Sequence, residues 1–107
     1  RQVVVVAAAD LAHVGPAFGG APLDALGKEH LRSADDALLA HVCAGDAEGF
    51  LEAIERCENA NNVCGVSSIY LALRLLGETA GERVAYAVCP ADEADTSVVT
   101  IGGVLLW

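Results

Sequence analysis

A chain of 107 residues that is 54% hydrophobic and 20% charged can bury a core, which excludes a disordered polymer and leaves room for one domain at most. Six Lys and Arg stand against fifteen Asp and Glu, and the formal net charge of −9 argues against nucleic acid and anionic membrane surfaces as partners. No apolar run is long enough to span a bilayer: the one from Ile69 to Leu76 is short and interrupted by Arg74.

Residues 3–9 (VVVVAAA) open the chain as a predicted strand. A β-branched run without polar alternation suits a strand covered on both faces, as in a parallel sheet. It leads into Asp10 and His13 and stops at Gly15-Pro16. In open α/β sheets, ligand sites gather past the carboxyl ends of strands, and these two side chains stand there. Residues 10–22 read as a Gly- and Pro-rich loop with Phe18 as its one large anchor, and residues 23–31 are ambiguous, with room for a turn of helix. Ser33 is the expected N-cap of a first helix, with Asp35 and Asp36 in its first turn and Ala34, Leu38, Leu39, Val42 and Cys43 on one face. Gly45 ends that helix and Asp46 caps a second, which turns Phe50, Leu51, Ile54 and Cys57 inward and Glu48, Glu52 and Glu55 outward.

Residues 59–62 form a polar turn. A third helix, residues 66–76, is apolar nearly all round and is expected to be the central buried one, with Gly77 at its C′ position. Residues 83–89 read as a strand ended by Pro90, residues 91–95 as an acidic loop, and residues 97–106 as a last strand in which Gly102-Gly103 marks a bulge or close approach. The predicted fold class is α/β: a mostly parallel or mixed sheet flanked by helices.

Cys64 is the best-placed thiol, because the start of a helix favours an anion and a thiolate is both nucleophile and metal ligand. Gly65 beside it admits a ligand or another backbone. Asp10 and His13 can act as a general base with its orienting carboxylate or as metal-site residues. A carboxylate capping a turn and an imidazole packed on Phe18 is the equally weighted alternative. His30 and His41 read as solvent-facing residues, Asn61 and Asn62 as turn and cap residues, and Asp92, Glu93 and Asp95 as a solvated loop. Cys43, Cys57, Cys64 and Cys89 lack the spacing of a zinc knuckle or a redox pair, so they read as reduced thiols of a cytoplasmic protein.

Four stretches together carry a resemblance: Ala8-Ala9-Asp10-Leu11-Ala12-His13, the loop from Gly15-Pro16 to Phe18-Gly19, Asn61-x-x-Cys64-Gly65-x-x-x-Ile69, and Ser97-Val98-Val99. They resemble the C-terminal part of the MEMO-like family, whose bacterial relatives belong to the AmmeMemoRadiSam system. The family's Ser-Ser-Asp-x-x-His and Cys-Gly-x-x-Pro-Ile patterns keep their Asp, His, Cys and Gly here and lose the two serines and the proline. The family is in turn similar to the LigB-like class III extradiol dioxygenases, which implies a non-haem iron or copper site of redox type. The resemblance puts Cys64 at a metal-ligand position, His13 at the catalytic base and Asp10 in support of it.

By the same resemblance two histidine ligands belong to an N-terminal part of the domain, so residues 1–107 are expected to be a single domain cut from a larger one and inactive alone. A first residue that is Arg rather than Met agrees with that expectation. The partners expected are the missing part of the domain or a second copy over an exposed apolar patch. The alternative function is a non-catalytic peptide or phosphopeptide binding module, which the charge of −9 weakens.

Overall fold

A computed structural model describes residues 4–107. Three helices, α1 (Ala25–Cys43), α2 (Ala47–Arg56) and α3 (Val66–Leu76), pack beside a three-stranded sheet of β1 (His13–Val14), β2 (Gly81–Pro90) and β3 (Val98–Leu106). The α/β class expected from the sequence therefore holds. The strand order is β1-β3-β2, and both pairings are antiparallel rather than parallel. The loop between β2 and β3 is the reason for the second: residues 91–97 are too few for the crossover that parallel neighbours need.

The opening run behaves differently from its composition. Val3 lies outside the described residues, and residues 4–12 belong to no strand. The first strand is instead the two residues His13 and Val14, which pair with Val99 and Val98. β-branched residues fit a pleated sheet, but they form a strand only where a neighbouring strand takes up their backbone groups.

α1 also starts earlier than expected. Asp24 caps it by accepting a 2.7 Å bond from the Gly27 N–H, and Ser33 sits exposed within the helix. Asp35 is consequently not a first-turn residue; it is fully buried with Leu31, Leu38, Leu39 and Val42. Asp46 caps α2 as expected, at 2.9 Å from the Gly49 N–H. α2 turns Phe50 and Ile54 into a core with Leu38, Val42, Val63 and Leu73, while Cys57 faces out. Burial of Phe50 alone contributes about 2–3 kcal/mol.

α3 has the predicted bounds and ends at Gly77, whose φ of 68° suits glycine. It is not the central helix: only Leu73 is buried, and Leu71 and Leu75 are 58% and 76% exposed. Its apolar circumference exceeds what α2 and the sheet cover. β2 is bulged between Arg83 and Ala85, across from Val104 and Gly103, so the expected irregularity lies on the strand facing the glycine pair. No helix among the described residues is long and apolar enough to cross a membrane.

Candidate functional site

Asp10, His13 and Cys64 converge at one end of the sheet. One ligand atom from each lies within 4.8 Å of the others, with His13 half-buried and the other two exposed. His13 Nε2 stands 3.9 Å from Asp10 Oδ2, within ion-pair range but beyond a hydrogen bond. Cys64 immediately precedes Gly65, the N-cap residue of α3.

Local chemistry brings these three together. Asn59 and Asn62 adopt φ of 50°, a left-handed conformation that asparagine tolerates, and so turn the chain sharply after α2. Asn59 locks the turn by bonding both backbone groups of Val63, at 2.9 and 3.1 Å. Asn62 then clamps the histidine. Its side-chain amide donates to the His13 carbonyl, its own carbonyl faces His13 Nδ1, and both distances are 3.1 Å. The His13 N–H completes the clamp on the Asn61 carbonyl at 2.9 Å. A carbonyl can only accept, so this network places a proton on Nδ1 and turns Nε2 toward Asp10. Phe18 supports the ring edge-on, at 5.2 Å between centroids, the packing weighed above as the alternative to a chemical role.

Gly65 supplies the other half of the approach. A Cβ at this position would collide with the Ala9 methyl and crowd the Asp10 carbonyl at 3.1 Å. Only a residue without a side chain lets the Asp10 backbone lie this close to the start of α3. The anticipated close approach at Gly65 is thus made by the chain itself.

From the other side, Thr100 of β3 holds the segment with three hydrogen bonds. Its carbonyl accepts from the Leu11 N–H at 2.9 Å, its N–H donates to the Ala12 carbonyl at 3.0 Å, and its hydroxyl accepts from the Ala12 N–H at 2.9 Å. Sequence reasoning missed Thr100 and gave Asn62 no part in the site. The Asn-rich turn beside Cys64 was the available signal for the second; a threonine inside a β-strand carries none.

The other titratable groups singled out lie apart from this site. His41 meets Asp46 at 3.1 Å, and His30 is exposed. Asp92 ties down its own loop: bonds from Ser97 and Thr96 depress its carboxyl to about 2. An apolar cleft of about 350 Å3, bounded by Val4, Ala9, Leu11, Ile69, Leu73 and Leu105 among others, runs behind the site but includes none of its three polar side chains.

The arrangement offers a thiol, an imidazole nitrogen and a carboxylate to one point in space, the mixed donor set that borderline transition metals accept. No curated protein and no solved structure shows significant similarity to the chain. The family described as Memo-like protein matches residues 1–105, and with this match the chain belongs to the Memo-like family.

Proposed function

We propose that Asp10, His13 and Cys64 form part of a transition-metal site, for iron or copper, in a Memo-like protein. The observation that carries this reading is the meeting of three chemically different donors within 4.8 Å, from positions as far apart as 10 and 64. Tetrahedral ligands with bonds of roughly 2.0–2.3 Å stand roughly 3.5 Å apart, so side-chain rotation closes the present spacing around an ion. Cys64 is the anionic sulfur ligand. His13 offers Nε2, because the Asn62 carbonyl occupies Nδ1. Asp10 places a negative charge beside them that balances the charge of the ion. A bound ion would supply Lewis-acid or redox chemistry, and the exposure of Cys64 and Asp10 leaves its remaining positions open. The four free thiols fit a reducing compartment such as the cytoplasm. Binding of a phosphorylated peptide is the weaker reading, since the Asp10 carboxylate repels an anion at the start of α3.

Anaerobic titration of the chain with Fe(II) or Cu(I) tests the site. Cys64→Ala should weaken binding by more than about a hundredfold, exceeding the loss typical of outer-sphere residues. Unchanged affinity in that variant would remove Cys64 from the ligand set.

A further inference from the structure

Asp10 and His13 flank a two-residue segment, Leu11 and Ala12, that is almost completely buried. The site can hold its shape only if that segment is fixed in rotation and in register. Its main-chain bonds to Thr100 resemble an ordinary ladder, but one bond does not: the Ala12 N–H is satisfied by the Thr100 side-chain oxygen, inside a fully buried environment. Because the Thr100 carbonyl serves Leu11 and its hydroxyl serves Ala12, two successive N–H groups bend toward a single residue. In a regular strand successive N–H groups point to opposite sides. The hydroxyl therefore imposes the turn in the backbone that sends Asp10 toward α3 and His13 into the pairing with β3.

Thr100 pairs with Val88, which places Tyr86 and its phenol diagonally across on the same face. That phenol donates at 2.6 Å to Oδ2 of the buried Asp35, and the Arg32 and Arg83 guanidinium groups stack on its ring at 5.6 and 5.5 Å. Asp35 Oδ1 has no hydrogen-bond partner, so the Tyr86 phenol is the one group among the described residues that anchors this carboxylate. Asp35 of α1 and Tyr86 of β2 thus form a polar pair on the sheet face from which the Thr100 hydroxyl holds the backbone between Asp10 and His13.

We infer that Thr100 is the positioning residue of the Asp10–His13–Cys64 site, and that its hydroxyl sets the geometry in which those three side chains meet. The inference rests on the metal-site reading for its ligand, but the positioning itself is a property of the metal-free chain. It acts only through Ala12 and touches none of the donors.

Thr100→Val keeps the shape and β-branching and removes the hydroxyl; Thr100→Ser keeps the hydroxyl. Titration of the whole chain with Co(II), whose thiolate charge-transfer absorption reports the bond to Cys64, should show Thr100→Val binding about tenfold more weakly. Thr100→Ser should bind as the wild type does. Equal binding by wild type and Thr100→Val overturns the inference, as does a Thr100→Ser variant as weak as Thr100→Val. Amide hydrogen exchange on the metal-free proteins separates the two levels. Slow exchange at Ala12 in the wild type and in Thr100→Ser, lost in Thr100→Val, with a moved His13 ring resonance, supports positioning even if Co(II) does not bind and the metal reading falls. Should Thr100→Val fail to fold, the wild-type rate decides: an Ala12 amide exchanging as fast as that of exposed Asp10 overturns the inference.

Discussion

Residues 4–8 are all apolar, as are residues 11–14 apart from His13, yet the two groups have opposite fates. The first group is exposed, Val4 and Val6 by 85% and 80%, and none of its backbone groups bonds to another described residue. The second is buried or half-buried and is bonded on one side to Thr100 and on the other to the Asn61-Asn62 turn. Apolar composition is shared, so it cannot be the cause. What differs is the presence of polar partners for the backbone, and His13 belongs to the held half with Asp10 directly before it.

Breaking the buried polar pair beside the held segment should have the largest effect. Tyr86→Phe leaves the buried Asp35 carboxylate without its donor and should cost about 3 kcal/mol, read from denaturant midpoints at neutral pH. This loss has a pH signature. Burial first, and then the hydrogen bond to Asp35, hold the Tyr86 phenol above its usual range. A group whose pKa is raised on folding contributes stability below its unfolded value, about 10, and loses it as pH rises through the folded one. The gap between wild type and Tyr86→Phe should accordingly be full at pH 8 and narrow above pH 10; a gap that widens there contradicts the assignment.

Gly65→Ala attacks the hold from α3. The new methyl meets Ala9, and accommodating it should cost about 2 kcal/mol while pushing Asp10 away from Cys64. A weaker Co(II) complex together with a lower melting temperature is the expected pair of results. In the free half, Val6→Lys should change stability by less than about 0.5 kcal/mol, because the side chain leaves water for nothing. A larger loss in a thermal melt would mean that residues 4–8 are held after all.

The same contrast explains what could be read from the residues alone. The bounds of α3 followed from its nearly all-round apolar run and Gly77, and the α2 cap from Asp46, because those signals are local. The start of α1 was hidden: Ser33 resembles a cap as well as Asp24 does, and only the burial of Leu31 and Asp35 decides between them. Residues 3–9 have strand-like composition, but a strand is a property of two segments. Asp10, His13 and Cys64 were legible as candidates, and the family resemblance joined them. Thr100 and Asn62 were not, since each acts through a backbone group whose position the fold alone determines.

The bond from Ala12 to the Thr100 hydroxyl joins residues 88 positions apart, so it fastens the beginning of the chain to its end. Everything between, all three helices and β2, lies inside the loop that this clasp closes. Closing so long a loop costs chain entropy that only the finished core can offset. The thiol, imidazole and carboxylate therefore meet only in a chain whose intervening residues are folded, so loosening that loop anywhere disperses the site.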